Sequence, residues 1–310
     1  MNKKIIALAV AATFVAPAAM ADTTLYGRIN TQVVSTDNGT NDEWDVEDNA
    51  SRIGVKGSED LGNSMTAVYQ IELDVDAENT GNTSGRLAYT GIAGGFGTVA
   101  LGRQWTPYHG SVNKTDFNQV NGMNDTYIGT ARVGNALAYV SPNFSGFTAT
   151  LAMSIDDDSG LDVGEDGIDV YNLSLDYSNG PLSVGFSVLD AGGAVDGNQW
   201  GIGAKYKMDS FAVFAQYEGA DFEIYNALMS GSETSDVDAY AIGVEAYFGN
   251  NTLRAKFGEV DTAAETEQWS IGLQHNFSKR TMVFAEYENS ETGTTDTDTD
   301  RFGFGIRHDF

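Results

Sequence analysis

The chain has 310 residues, with 17 Lys+Arg against 44 Asp+Glu and a formal net charge of −27, which argues against nucleic acid, whose phosphates would be repelled. It has no cysteine, so disulfides and thiolate metal sites are excluded. Gly is frequent at 36, Pro scarce at 4, and aromatics make up 11%, a composition unlike that of a helical membrane protein.

The N-terminus reads as a processing segment. Lys3 and Lys4 form a positive region, Ile5–Val15 an apolar one, and Ala19-Met20-Ala21 a small-x-small cleavage site. Residues 1–21 are therefore expected to be a cleaved secretory signal peptide, the apolar run being short and interrupted by Pro17. Without Lys3 and Lys4, 15 basic residues face 44 acids, a formal charge of −29. Beyond Asp22 no apolar run approaches the roughly 18 residues a spanning helix needs.

From Asp22 one unit repeats: an alternating segment, a short turn, another alternating segment, then a longer polar loop. Leu25, Gly27, Ile29, Thr31 and Val33 share one face, against Tyr26, Arg28, Asn30 and Gln32. Ile53 and Val55 oppose Arg52, Gly54 and Lys56; Ala67, Tyr69, Ile71 and Leu73 oppose Gln70, Glu72 and Asp74. Downstream, Trp200, Ile202, Ala204 and Tyr206 oppose Gly201, Gly203, Lys205 and Lys207. The last strand sets Phe302, Phe304, Ile306, His308 and Phe310 against Arg301, Gly303, Gly305, Arg307 and Asp309. A period of 2 means strands.

Such strands fit a soluble sandwich or a membrane barrel, and aromatic placement separates the two. Tyr171 and Tyr177, Trp200 and Tyr206, Tyr240 and Phe248, Trp269 and Phe277 sit at strand ends. That is the spacing of two interfacial girdles about 25 Å apart. Lipid also tolerates no open sheet edge.

The connections alternate in length. The short ones are Ser58–Asn63, Gly94–Gly97, Ser141–Gly146, Ser178–Pro181, Lys207–Ser210, Gly249–Asn251 and Asn276–Arg280. The long ones are Ser35–Asn49, Asp76–Ser84, Thr106–Thr130, Asp156–Gly167, Asp190–Gly197, Gly219–Ser235, Asp261–Glu267 and Ser290–Thr299. Fifteen connections imply sixteen strands. The expected fold is all-β: residues 22–310 as a single transmembrane antiparallel β-barrel of 16 strands, with short periplasmic turns and long extracellular loops. Thr106–Thr130, the longest unpatterned insert, is expected to fold into the lumen, since structureless loops of roughly 25 residues are rare and usually functional.

The chain resembles the general porins of Gram-negative bacteria. The likeness is carried by Leu25-Tyr26-Gly27-Arg28, Ser51–Gly57, Arg86–Gly91, Gly95–Arg103, Ala131–Asn135 and Gly305–Phe310, in that order and spacing. It implies an outer-membrane homotrimer among lipid and lipopolysaccharide, a third long loop folded inward, and a terminal Phe310 read by the assembly machinery. It further implies a basic ladder facing acids of the loop. By motif position the ladder is Arg28, Arg52, Arg103 and Arg132. Alternation places Arg28, Arg52 and Arg132 on the polar face, with Arg86 as a fifth candidate of lumen parity. Arg103 shares parity with Val99 and Leu101 and needs a bulge to turn inward. The family's Pro-Glu-Phe-Gly-Gly loop motif is absent, and Asp116 and Asp125 are the loop's only acids.

The function expected is passive diffusion of small hydrophilic solutes and ions, with mild cation preference and no cofactor. A solute-specific channel, and less readily a barrel adhesin or enzyme, remain alternatives. The acidic stretches Asp37–Asp48 and Asp156–Asp169 read as hydrated outer surface rather than calcium sites. Asp296-x-Asp298-x-Asp300 lacks the glycine and glutamate of an EF-hand loop. His109 and Ser111 at i and i+2 are no catalytic dyad, and Gly94-Gly95-x-Gly97 has no following helix or lysine to make a phosphate loop.

Overall fold

The computed structural model describes residues 22–79, 81–155, 167–192, 195–293 and 297–310. The expected leader, residues 156–166 of the second acidic stretch, and Asp296 lie outside them. The strands are β1 (Asp22–Asp37), β2 (Asp42–Asp48), β3 (Arg52–Gly62), β4 (Met65–Val75), β5 (Thr83–Gly94), β6 (Gly97–Trp105), β7 (Arg132–Val133), β8 (Ala136–Val140) and β9 (Phe147–Ile155). They continue with β10 (Ile168–Asn179), β11 (Leu182–Ala191), β12 (Asn198–Lys207), β13 (Phe211–Ala220), β14 (Val237–Phe248), β15 (Asn251–Asp261), β16 (Thr266–Asn276), β17 (Thr281–Thr292) and β18 (Thr297–Asp309). Two short helices, α1 (Pro107–Val112) and α2 (Phe222–Met229), lie in long loops.

Every strand pairs antiparallel with its neighbours, and β1 closes the ring by pairing with β18 on one edge and with β2 and β3 on the other. Since β2 and β3 share one wall position along β1, and β7 and β8 share one along β6, the wall has sixteen strands. Closure leaves the wall without a free edge at membrane depth.

Burial is inverted relative to a soluble sandwich. Outer-face Leu25 is 62% exposed, Ile71 57% and Ile242 56%, whereas inner-face Gln32 is 2% and Glu218 0% exposed. Apolar side chains pointing outward around a closed ring need lipid against them. At the long-loop end, Trp200 packs on Tyr217, Tyr240 on Phe257 and Trp269 on Tyr287, with centroids 5.6, 6.2 and 5.4 Å apart. Tyr217 pairs with Tyr240, Phe257 with Trp269 and Tyr287 with Phe302, so these rings form one continuous belt.

Three expectations are corrected. Most of Ser35–Asn49 is not loop: β1 runs to Asp37 and β2 occupies Asp42–Asp48, leaving a tight turn closed by the Asn38 side chain, which accepts from the N–H of Thr40 and Asn41. Trp44 and Val46 alternate there with acids, whose density disguised the strand. Thr106–Thr130 opens with α1, whose N-cap Thr106 accepts from the N–H of His109 ahead of Pro107. Gly219–Ser235 holds α2, with Ile224 fully buried.

α2 covers a core inside the barrel. Ile224 packs with Tyr108 and Val112 of α1, Ile128 of the long loop, and Val170, Leu189 and Val237 of the wall. The half of the lumen beside β10–β14 is therefore filled, and open space is pushed toward β1–β7.

Candidate functional site: the lumen constriction

The loop 106–130 leaves the wall after β6 and returns at β7. Its two ends are tied: Thr106 donates through its N–H to Ala131 O at 3.0 Å and through Oγ1 to Thr130 O at 2.6 Å. Between these points it runs along the inner face of the far wall, held by buried polar side chains. Asn172 Oδ1 accepts the N–H of Tyr108 (2.8 Å), and Asp176 accepts from Ser111 Oγ (2.7 Å). Gln216 Oε1 accepts the N–H of both Lys114 and Thr115 at 3.1 Å. Glu286 Oε2 accepts the N–H of Gln119 and Val120 at 2.7 and 2.8 Å, and Arg254 donates to its other oxygen at 2.8 Å. Each bond matches a backbone donor left unpaired by irregular chain to a buried acceptor, as burial demands.

Glycine gives the loop its seat. A side chain at Gly201 or Gly203 on β12 would strike Val112, and one at Gly185 on β11 would strike Ser111. Further round, one at Gly243 would meet Phe117 and one at Gly303 would meet Val120. Glycines read in the sequence only as small inner-face residues mark the loop's track.

The opposite wall carries the arginines. Arg28 Nε donates to Asp309 Oδ1 at 2.8 Å, and Arg307 reaches Asp309 Oδ2 at 2.9 Å. Arg52 lies 3.8 Å from Glu72, and Arg86 pairs with Glu72 at 2.8 Å and Asp74 at 3.4 Å. Arg86 reaches the lumen through a bulge, not by alternation: Ala88, Thr90 and Ile92 face outward, and the β4–β5 register slips between Glu72 and Leu73. The expectation of plain lumen parity is corrected on that point. Arg103 turns inward as the sequence required. Gly102 has φ 119°, and the partners of β6 slip by one residue between Leu101 and Gln104. Beyond the slip lies Trp105, with Arg132 at 4.9 Å and Arg86 at 6.0 Å from its ring centroid.

Asp116 and Asp125 are both exposed, and among the described residues neither forms an ion pair with the ladder. Enclosure within the barrel raises the Asp116 carboxyl, and the charges of Lys256, Arg28 and Arg52 oppose that rise. Its charge thus faces the ladder across the gap without touching it. Enclosure likewise raises Asp125, against Lys256 and Arg301.

Arg307 belongs with the ladder and was missed. Its inner-face parity was legible, but only closure of β18 on β1, with Asn30 opposite Arg307, brings it beside Arg28. It also donates to Gln119 Oε1 on the loop at 3.2 Å. Every Lys and Arg after Asp22 except Lys279 and Arg280 falls on an inner-face position or on the inward loop. The excess acid is therefore carried largely by the outer loops.

His109 stacks on Trp105 at 4.6 Å and meets Tyr127 edge-on, while Ser111 faces Asp176, so the two form no dyad. Among the described residues no group of three or more His, Asp or Glu is arranged to hold a metal ion.

A closed sixteen-stranded barrel, apolar outside and narrowed by an inward loop between charged walls, defines an outer-membrane channel protein. Residues 7–297 match the family model described as Gram-negative porin, and the chain belongs to that family. It is 31% identical over 356 residues to the major outer membrane protein P.IB of Neisseria meningitidis serogroup A, covering 100% of both chains. It is 26% identical to outer membrane porin protein 32 of Delftia acidovorans, covering 92% of this chain and 88% of that one. Among solved structures, an anion-selective porin from Comamonas acidovorans matches with TM-score 0.77 and 21% identity, over 94% of this chain and 100% of the other. The trimer form of OmpT from Vibrio cholerae matches with TM-score 0.71 and 14% identity, over 94% and 100%. The chain is thus an outer-membrane porin, a channel rather than an enzyme.

Proposed function

We propose that this porin is a general diffusion channel for small hydrophilic solutes and ions, sieved by the loop 106–130. The observation that carries the reading is the loop's course. It is pinned to one wall by Gln216 and Glu286, and it holds Asp116 opposite Arg28 and Arg52 across open space. Solute crossing that gap meets a transverse field between Asp116 and Asp125 on one side and Arg28, Arg52, Arg86, Arg103 and Arg132 on the other, the arrangement by which charge rings set selectivity. A field of this kind orients dipolar solutes and slows apolar ones without binding a particular one.

Mild cation preference follows from the outer loops, whose acids concentrate cations at the mouth. That field is screened over about 10 Å at 0.1 M salt and about 3 Å at 1 M. Cation preference is therefore expected to decline as salt rises and the lumen arginines come to dominate. A second reading, weak anion preference throughout, is favoured by Arg103 and Arg132, which have no carboxylate within 4 Å among the described residues. Reversal potentials under a salt gradient at low and high ionic strength separate the two: cation-selective values at low salt support the first, anion-selective values at both support the second.

The remaining parts of the reading concern assembly. Residues 1–21 act as a cleaved leader, three copies associate among lipid and lipopolysaccharide, and the terminal strand ending in Phe310 is the segment the assembly machinery engages. The trimeric form of one fold neighbour supports the oligomer. Conductance steps closing in threes test it.

A further inference from the structure

Arg103 and Arg132 stand at the two roots of the constriction loop, one just before Thr106 and one just after Thr130. Register joins them through Trp105, which pairs with Arg132 across β6 and β7. The Arg132 guanidinium lies 4.9 Å from the indole centroid, and His109 stacks on the same indole at 4.6 Å. The acids of this wall are already engaged: Glu72 and Asp74 by Arg86 at 2.8 and 3.4 Å, and Glu72 also by Arg52 at 3.8 Å. Arg103 and Arg132 have no hydrogen bond and no carboxylate within 4 Å among the described residues, and Nε of Arg103 is shielded from solvent with no partner. Two guanidiniums of like charge, with Arg86 close by, are costly in an enclosed space unless a counter-charge joins them.

We infer that Arg103 and Arg132 form a binding site for a small oxyanion, a carboxylate or a phosphate, at the root of the constriction loop. The inference rests on the lumen being a solute path and names a solute class for it. A planar guanidinium fork matches two oxygens of one anion at once, whereas chloride offers a single point of contact. Oxyanions are therefore retained in preference to chloride, and their passage saturates.

The test is single-channel recording of the full-length porin in a planar bilayer bathed in KCl, adding inorganic phosphate or acetate to one side. The expected result is that chloride current falls and levels off with millimolar probe. A response to phosphate alone, acetate alone or both supports the site and identifies its source chemistry. Arg103→Gln with Arg132→Gln is expected to abolish the levelling. Arg132→Lys, which keeps the charge and loses the fork, is expected to weaken it while conserving the reversal potential. Current that responds linearly to both probes, or levelling that survives the double substitution, overturns the inference and leaves the porin standing. A protein that folds as a barrel yet conducts nothing overturns the channel reading as well.

Discussion

The carboxylate of Glu286 accepts the backbone N–H of Val120 at 2.8 Å from deep within the wall. The same oxygen takes the N–H of Gln119, and Arg254 neutralises its partner oxygen at 2.8 Å. Val120 is fully buried against Val34, Met123 and Phe284. One charged wall residue thus fixes the tip of a loop whose roots lie at β6 and β7.

Glu286→Gln is expected to loosen that tip without unfolding the barrel. Hydrogen bonds to charged acceptors contribute about 1.5–3 kcal/mol each, and the substitution also leaves Arg254 less well balanced. Open-channel current is expected to become noisier, with sub-states absent from the parent. Quiet, parent-like current would place the hold on the loop elsewhere.

Gly203→Val is expected to dislodge α1. The added side chain would meet the backbone of Val112 and Ser111, which cannot yield as a flexible side chain could. Overpacking of this kind costs about 1–3 kcal/mol. Conductance is expected to change while strand content by circular dichroism stays constant.

Ile224→Ala removes a fully buried side chain from the core joining α2 to the loop. Such truncations cost about 2–5 kcal/mol. The wall ladder does not pass through Ile224, so the expected signature is local: faster proteolysis in the loops, with the barrel itself still resistant to detergent.

Lys114 provides a pH test. Its ordinary value is 10.5, and burial together with Lys205 lowers it to about 8, with Asp176 opposing. Its folded value is depressed, so it loses its proton as pH rises through about 8, and a positive charge leaves the loop. Cation preference is therefore expected to increase between pH 7 and 9, read as a shift in reversal potential. Lys114→Met should remove that shift. A pH response unchanged in the variant would assign it to another group.

Much of this was legible in the sequence because a period of 2 needs no knowledge of partners. Leu25 and Ile71 outward, Gln32 and Glu72 inward, the seven turns and the inward-turned Arg103 all follow from alternation and a glycine. What escaped depends on contacts across the chain. Arg307 joins Arg28 only when the first and last strands meet. Arg86 enters through a slip in register that its own segment does not announce. The expected acids Asp116 and Asp125 face the ladder at a distance, while Glu72, Asp74 and Asp309 hold it directly. The α1 helix was signalled by Thr106-Pro107, but its seat on Gly201 and Gly203 lies on strands nearly a hundred residues away.

The most direct measurement is single-channel conductance of the refolded protein in a planar bilayer, with reversal potential under a salt gradient. Large steps closing in threes, weakly selective and more cation-preferring at low salt than at high, are the result the loop and ladder predict. Small steps blocked by one particular solute, or clear anion preference at low salt, would contradict a general diffusion channel with an acidic mouth.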